Sequence, residues 1–321
     1  MEIRNYESVQ YSDVLLKHKK SILTSRSLAD ISAKLGKHSF RVPLVAANMP
    51  SLLTITQCSS FDSSGWFYIY PRTYVPAEVH SFVKYAQDNF NIVSISIGIT
   101  EEWVSLVKFL KLQNFRVDFF QVDIACAYSD IILPIVDTIK KNYPDSYLIV
   151  GNTANAESIP WMESLGIDCA RLNVGVSKSC RTREFTGFSC TPLGNLIDCV
   201  KEAKTIKLMS DGGLTVEPDG TVWVGDIAKA IRFGADFVMS GAVFAGCVDT
   251  PSYSMGYFGN STEQAKGHKR HVEGTNYSVK KEMTVKQVMQ LVEDSLKSSV
   301  SYSGGTKLED IKKVDFIDLR N

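Results

Sequence analysis

Short runs of apolar, β-branched and aromatic residues recur along the chain, and a stretch of helical length follows each of them. These runs predict strands at residues 44–48, 66–70, 92–97, 119–124, 147–151, 169–174, 206–210 and 236–240. Amphipathic stretches between them predict helices at residues 78–90, 101–112, 129–141, 154–165, 193–204 and 224–233. Strands that are apolar throughout are covered on both faces, and their alternation with helices indicates parallel pairing. We therefore predict an α/β fold, a (β/α)8 barrel of the TIM type, with a doubly wound open sheet as the alternative.

Two stretches interrupt this alternation. Residues 214–223 contain the turn sequence Glu217-Pro218-Asp219-Gly220 and predict a hairpin inserted before the helix at 224–233. Simple surface decoration is the alternative. Residues 249–282 are rich in Ser, Gly, Tyr, Lys and His and predict a flap over the mouth of the barrel, followed by an amphipathic helix at 285–296. We expect residues 1–321 to form one domain.

Composition narrows the class of protein. With 321 residues, 44% of them hydrophobic, the chain is long enough to bury a large core. Lys plus Arg and Asp plus Glu both number 35, so we expect neither nucleic acid nor a membrane as a partner. No signal peptide or membrane span is apparent, which predicts a soluble cytoplasmic protein. Seven scattered cysteines without CxxC pairs indicate reduced thiols rather than disulfides or a zinc site.

Cys180 is the candidate nucleophile. A barrel places function in the loops after its strands, and Cys180 follows the sixth predicted strand. Arg181 and Arg183 flank it, with Thr182 between them. Nearby cations favour the thiolate over the thiol, and an exposed loop gives a substrate access to it. The alternative is a buried structural cysteine.

Glycine turns after the seventh and eighth predicted strands suit a phosphate, because glycine lets backbone N–H groups approach an anion closely. The turns are Asp211-Gly212-Gly213 and Ser240-Gly241. Asp211 does not suit phosphate, but its carboxylate can accept hydrogen bonds from two vicinal ribose hydroxyls. Each turn alone is also explained by turn propensity. Together, where barrels bind phosphate, they indicate a nucleotide.

The predicted flap carries one candidate for proton transfer. Glu273 can act in this way if a hydroxyl such as that of Thr182 lies beside it, so that the pair relays a proton to a leaving group. Otherwise it is a solvated surface glutamate. His268 and His271 lie in the same basic segment without a cysteine or carboxylate cluster nearby, which makes them a poor metal-ligand set.

Over nearly the whole chain, the order of these segments resembles the IMP dehydrogenase and GMP reductase family. The matching motifs are Tyr11-Ser12-Asp13-Val14-Leu15-Leu16, Ser25-Arg26-Ser27, Ala46-Ala47-Asn48-Met49, Cys180-Arg181-Thr182-Arg183, Ser210-Asp211-Gly212-Gly213, Gly225-Asp226-Ile227-Ala228-Lys229-Ala230, Gly234-Ala235-Asp236-Phe237-Val238-Met239 and Glu273-Gly274. The resemblance implies a TIM barrel and a homotetramer. It also implies that Cys180 attacks C2 of a purine nucleoside monophosphate to form a thioimidate, and that Thr182 and Glu273 relay a proton.

The resemblance further assigns binding residues. For the ribose and phosphate these are Asp211, Gly212, Gly213, Ser240 and Gly241, and around the base they are Gly259, Asn260, Ser261, Arg270 and Gly274. For NADPH they are Ser25, Arg26, Arg72, Asp123 and Ala125. A monovalent cation, K⁺, is implied at the carbonyls of Gly175, Ser177, Cys180 and Arg183.

The chain departs from the family pattern in this loop. The family's Gly-x-Gly-x-Gly-Ser run is Asn173-Val174-Gly175-Val176-Ser177-Lys178 here, which loses two glycines and the phosphate-binding serine. Lys178 can contact the phosphate in their place as a point charge. Ala242 replaces a phosphate-site glycine, Pro50 replaces an aspartate, and Asn260 replaces a methionine beside the base.

Two absences favour the reductase branch of the family. No regulatory domain is inserted, and the flap between residues 261 and 273 is too short to carry the Arg–Tyr pair with which the dehydrogenases activate water. The resemblance therefore implies NADPH-dependent reductive deamination of GMP to IMP and ammonia, in purine salvage. The alternatives are an IMP dehydrogenase, a reductase of a deoxy or modified purine nucleotide, and a non-catalytic nucleotide-binding relative. Joint presence of Cys180, Thr182 and Glu273 argues against the last.

Overall fold

The computed structural model describes residues 8–73, 75–267 and 272–320. The strands are β1 (Val14–Leu16), β2 (Ala33–Leu35), β3 (His38–Phe40), β4 (Leu44–Ala46), β5 (Ser94–Ile97), β6 (Phe119–Asp123), β7 (Tyr147–Thr153), β8 (Cys169–Leu172), β9 (Lys207–Asp211), β10 (Phe237–Ser240) and β11 (Phe316–Asp318). The α-helices are α1 (Ile55–Ser63), α2 (Pro76–Asn89), α3 (Glu101–Leu112), α4 (Leu133–Asn142), α5 (Ser158–Ser164), α6 (Thr182–Thr186), α7 (Pro192–Glu202), α8 (Asp226–Arg232), α9 (Ser252–Met255), α10 (Glu263–Lys266), α11 (Val285–Tyr302) and α12 (Leu308–Ile311). Short 3-10 turns cover Tyr11–Asp13, Arg26–Leu28 and Asp130–Ile132.

Seven parallel strands form the central sheet, in the order β4-β10-β9-β8-β7-β6-β5. Within this sheet, β4 is the first strand in sequence and β10 is the last. These two strands pair with each other, so the sheet curls back toward its beginning. The predicted α/β class and parallel pairing are confirmed. The predicted strand at 66–70 lies between the two edges of the sheet, where it makes single parallel bridges, Val45 with Phe67 and Tyr70 with Ile95.

Aromatic residues fill the sheet interior at the amino ends of the strands. The rings of Phe67 and Phe119 lie 4.8 Å apart, and those of Phe40 and Phe67 lie 4.7 Å apart. Phe237 makes an edge contact with Phe40. Phe119 and Phe237 begin β6 and β10, while Phe40 ends the antiparallel pair β2–β3. This end of the sheet is therefore closed by packing, and the polar residues lie at the carboxyl ends.

All the predicted helices are present; the helix at 101–112 has the predicted ends, and the ends of the others are shifted. The final long helix, predicted to end at residue 296, continues to Tyr302. Its N-terminus is a capping box in which Thr284 accepts from the Gln287 N–H and Gln287 accepts in return. Within the described ranges, no helix is long and apolar enough to cross a membrane.

Both interrupting stretches contain local structure. Backbone hydrogen bonds join Trp223 to Thr215 and Glu217 to Thr221, with Val216 bridging Val222. The region 249–282 contains α9 and α10. Candidate residues Arg270, His268 and His271 lie outside the described residues.

Candidate active site

A cavity of about 580 Å³ opens at the carboxyl ends of the strands. It is lined by most of the residues predicted to act there: Arg72, Asp123, Ala125, Gly175, Ser177, Lys178, Cys180, Thr182, Asp211, Gly212, Gly213, Ser240, Gly241, Gly259, Asn260, Ser261 and Glu273. These residues come from seven separate segments of the chain, which parallel pairing brings to one edge of the sheet. The volume suits a small-molecule ligand.

The loop that carries Cys180 leaves β8 through an unusual backbone position. Asn173 has a φ of 79°, and its side-chain amide donates to the Asp211 carbonyl at 3.1 Å and to Ser210 Oγ at 3.2 Å. Asparagine tolerates this left-handed conformation better than most residues. A turn then brings the Cys180 N–H to the Ser177 carbonyl at 3.0 Å. The half-buried thiol is thereby fixed in the cavity wall.

The segment around Glu273 is held against this loop by backbone pairing. The Arg181 N–H donates to the Glu273 carbonyl at 2.7 Å, and the Thr275 N–H donates to the Ser179 carbonyl at 2.9 Å. Cys180 forms an antiparallel bridge with Gly274 between these bonds. Gly274, assigned to the base, therefore lies in this pairing rather than in the cavity lining. The pairing brings residue 273 beside residue 182, although they lie 91 positions apart.

Three side chains form a continuous hydrogen-bonded series. Cys180 Sγ donates to Thr182 Oγ1 at 3.2 Å, and Thr182 Oγ1 donates to Glu273 Oε2 at 2.7 Å. The second bond is short, as expected of a hydroxyl donating to a carboxylate. Because every donor points toward the carboxylate, the series provides a path for the thiol proton to Glu273. This is the arrangement of a nucleophile with its base.

The cations next to Cys180 in sequence are directed elsewhere. Arg181 Nε pairs with Glu184 Oε2 at 2.8 Å, and its guanidinium lies 4.6 Å from the centre of the Phe185 ring. Arg183 is exposed and is not part of the cavity lining. The side chains joined to the thiol by hydrogen bonds are instead those of Thr182 and, through it, Glu273.

The glycine turns are packed closely against side chains of the protein itself. Gly213 has a φ of 74°, and a side chain there would come within 2.5 Å of Pro192. A side chain at Gly241 would overlap the hydroxyl of Tyr257, a buried residue that also lines the cavity. Lys178 is exposed at this part of the cavity. A hydroxyl and an ammonium group thus accompany the glycine turns.

A buried arginine that the sequence analysis did not single out lies between two of the predicted residues. Arg171, 9% exposed, donates from Nη1 to Asp123 Oδ1 at 2.9 Å and from Nε to Asp211 Oδ2 at 2.9 Å. Nη1 also donates to Asn48 Oδ1 at 3.0 Å. A charged residue inside an otherwise apolar strand was the available signal, because arginine is rarely buried unless it is paired.

The contacts of Asp123 and Arg171 determine the directions in which their pKa values shift. Burial alone would raise the pKa of Asp123, but the charges of Arg171 and Arg72 and a hydrogen bond from Asn260 lower it below its usual value. Burial likewise works against the charged form of Arg171, whereas Asp211 and Asp123 raise its pKa above the usual value. The buried carboxylate and guanidinium therefore stabilise each other as ions.

The residues assigned to the cofactor fall into two places. Arg72 Nε donates to Asp123 Oδ2 at 3.0 Å in the cavity wall, with Ala125 nearby. Ser25 and Arg26 lie apart from this cavity, where Arg26 donates to Tyr302 Oη at 2.8 Å and to Ser298 Oγ at 3.2 Å on α11. The structure therefore brings Arg72, Asp123 and Ala125 into the cavity that Cys180 lines, and leaves Ser25 and Arg26 outside it.

The carbonyls assigned to a monovalent cation are partly occupied by the protein itself. The Ser177 carbonyl accepts from Cys180 N–H, and the Arg183 carbonyl accepts from Gly187 N–H. The part of the chain that the structure describes contains no cluster of three or more His, Cys, Asp or Glu residues suited to a metal ion. A K⁺ site at Gly175, Ser177, Cys180 and Arg183 stays a prediction.

Comparison with known proteins gives a consistent result. Residues 8–320 match the sequence model of the IMP dehydrogenase / GMP reductase domain. The chain is 35% identical to a protein named GMP reductase from Lysinibacillus sphaericus (strain C3-41), over 97% of this chain and 95% of that protein. It is 34% identical to proteins with the same name from Bacillus subtilis (strain 168) and Enterococcus faecalis (strain ATCC 700802 / V583), over 97% of this chain and 96% of each relative.

Proposed function

The chain belongs to the IMP dehydrogenase / GMP reductase family, and on this premise we propose that it is a GMP reductase, which converts GMP, NADPH and two protons to IMP, NADP⁺ and ammonium. One observation carries the proposal, the hydrogen-bonded series of Cys180, Thr182 and Glu273. Replacement of an amino group on a purine needs a nucleophile for the ring carbon and a proton for the departing nitrogen. The series supplies both.

The first half of the reaction uses this series in both directions. The thiol proton of Cys180 passes through Thr182 to Glu273, and the thiolate sulfur forms a bond to C2 of GMP. Glu273 then returns the proton through Thr182 to the 2-amino group. The C2–N bond breaks, ammonia leaves, and a thioimidate remains on Cys180.

NADPH, when bound, supplies the hydride that replaces sulfur at C2 and releases IMP. Arg72, Asp123 and Ala125 are the residues that would hold it, and they line the same cavity as Cys180. The paired guanidinium and carboxylate offer donors and acceptors suited to polar groups of a dinucleotide. Ser25 and Arg26, away from this cavity, stay a prediction as cofactor contacts.

The remaining cavity residues serve the nucleotide. We assign the phosphate to the Gly212–Gly213 turn, Ser240, Gly241 and Lys178, because close backbone donors and an ammonium group favour an anion. Asp211 accepts from the sugar. The base lies against the flap residues Gly259, Asn260 and Ser261, which line the cavity. Gly274 and Arg270 stay predictions as further contacts.

Three further features belong to the proposal by family membership. The segment 66–70 completes an eight-stranded barrel by bridging its two neighbours, in a single catalytic domain without an inserted regulatory domain. The enzyme acts in the cytoplasm and assembles as a homotetramer. Sedimentation velocity on the purified full chain tests the assembly, with a species of four chains expected and a stable monomer contradicting it.

One observation favours a second candidate, a reductase that accepts a 2′-deoxynucleotide. Oδ2 of Asp211 already accepts from Asn152 Nδ2 at 2.9 Å and from Arg171 Nε and Nη2 at 2.9 and 2.8 Å. Only Oδ1 is left to accept from the sugar. One carboxylate oxygen can accept from one or from two sugar hydroxyls, so this contact does not by itself require the 2′-hydroxyl.

The test is a parallel measurement of NADPH oxidation by its near-ultraviolet absorbance, ammonia formation and IMP formation with GMP as substrate. We expect equal amounts of all three products. The same enzyme is assayed with dGMP and with IMP plus NAD⁺. Reduction of NAD⁺ with IMP, without activity on GMP or dGMP, would make the protein a dehydrogenase. No reaction with any of these substrates would leave only nucleotide binding.

A further inference from the structure

The position of Arg171 raises the question of why a buried strand carries a charge. The side chain projects from β8 between the carboxyl ends of β6 and β9, where Asp123 and Asp211 lie. Its guanidinium holds one oxygen of each carboxylate, Oδ1 of Asp123 and Oδ2 of Asp211. The fork of a guanidinium reaches two carboxylates at once, which a lysine ammonium does less well. Under the proposed function, one carboxylate serves the nucleotide and the other the cofactor.

Each carboxylate is oriented by these contacts. With Oδ2 of Asp211 fixed by Arg171 and Asn152, Oδ1 is the oxygen left for a ligand. Oδ2 of Asp123 is held by Arg72 at 3.0 Å and by Asn260 at 2.9 Å. Arg171 is thus shared by the two carboxylates, whereas Arg72 contacts Asp123.

Charge provides the second part of the argument. GMP and NADPH are both anionic, and two bare carboxylates in one cavity would repel them and each other. The titratable and charged groups around Arg171 are Asp123, Asp211, Arg72 and, through its electrostatic interaction with Asp211, Tyr257. Arg171 contacts both carboxylates, and its charge helps to hold the buried Asp123 in its ionised form.

We infer that Arg171 is a positioning residue that orients Asp211 and Asp123 and balances their negative charge, and so prepares the nucleotide site and the cofactor site together. The inference rests on the proposed function for the identity of the ligands. Loss of Arg171 therefore impairs both sites, and the effect at Asp123 is strongest at low pH, because a buried carboxylate without its cation is protonated at a higher pH.

The test compares Arg171→Gln, Arg171→Lys and the matched control Arg72→Gln, with kcat and KM for both substrates measured between pH 5 and 9. In Arg171→Gln we expect both KM values to rise roughly tenfold or more at pH 8. The acid limb of kcat/KM should move upward by about one pH unit or more. Arg171→Lys, which keeps the charge and loses the fork, should raise both KM values without moving the acid limb. Arg72→Gln should raise the KM for NADPH alone.

Binding of GMP and NADPH by calorimetry, with circular dichroism to verify folding, separates this inference from the proposed function. If the wild-type protein binds both ligands without turnover, the proposed function fails. The inference is then tested by the dissociation constants, which should rise for both ligands in the Arg171 variants and for NADPH alone in Arg72→Gln. If Arg171→Gln does not fold, a joint rise of both constants in Arg171→Lys carries the inference. A folded Arg171→Gln protein with unchanged constants and pH dependence would overturn it, as would a change confined to one ligand.

Discussion

Replacing Glu273 by glutamine isolates the proton transfer from every other role of this residue. The glutamine side chain has the same shape, and its carbonyl oxygen can still accept the 2.7 Å hydrogen bond from Thr182. The backbone groups of residue 273 that pair with Arg181 and Ser261 are unchanged. The amide, however, takes up no proton. We therefore expect the variant to fold, with a stability loss of about 1 kcal/mol from one weakened charge-assisted hydrogen bond.

The catalytic effect should be much larger than the effect on stability. Positioned acid–base groups contribute about 10²- to 10⁴-fold to rates, which corresponds to roughly 3 to 5 kcal/mol in the activation free energy. We expect ammonia release from GMP to slow by such a factor while GMP binding by calorimetry changes less than about threefold, since the lost function is in the transition state.

Rapid-quench measurement of ammonia in a single turnover is the appropriate assay. The matched control is Glu184→Gln, which removes the exposed carboxylate paired with Arg181 and should leave ammonia release unchanged. Wild-type ammonia release in Glu273→Gln would refute the relay. A comparable loss in Glu184→Gln would show that any charge change in this loop disturbs the enzyme.

Three further predictions address other parts of the account. Cys180→Ala should abolish ammonia and IMP formation while GMP binding by calorimetry stays within about threefold, and an active alanine variant would exclude covalent catalysis. Lys178→Met should raise the KM for GMP roughly tenfold with little change in kcat, because it removes a phosphate contact made equally in the ground and transition states; an unchanged KM would place the phosphate elsewhere. Glu293→Ala should lower the free energy of unfolding in urea by about 2 kcal/mol, because it leaves the buried Trp66 indole N–H without its 2.9 Å acceptor; a stability equal to wild type would mean that water replaces this bond.

The sequence predicts the parallel sheet well because the central strands are buried on both faces and are therefore largely apolar. The segment 66–70 has this pattern too, yet the structure joins it to its neighbours by single bridges. The short strand pairs β1–β11 and β2–β3 were not predicted. Each of these strands has only three residues, which is too short for a clear periodic pattern. In addition, β1 and β11 are separated by almost the whole chain.

In the candidate site, too, some features are predictable from the sequence and others are not. Cys180 and the glycine turns follow strand ends, and a barrel topology alone is enough to bring them together. The contact of Thr182 with Glu273 depends on backbone pairing between the cysteine loop and a distant flap, which residue spacing does not encode. Its expectation came from family resemblance. Arg171 is a single charge in an apolar strand, which indicates a buried and paired arginine. The sequence does not identify its two carboxylate partners, which lie 40 and 48 positions away.

The measurement that tests the central claim most directly is a search for the covalent intermediate on Cys180. The enzyme is quenched with acid during steady-state turnover of GMP with NADPH, and its peptides are analysed by mass spectrometry. The account predicts a nucleotide bound through its purine ring to the peptide that contains Cys180. No such adduct should form in Cys180→Ser. Rapid formation of ammonia and IMP by an enzyme whose Cys180 stays unmodified, with equal turnover in Cys180→Ser, would contradict the account.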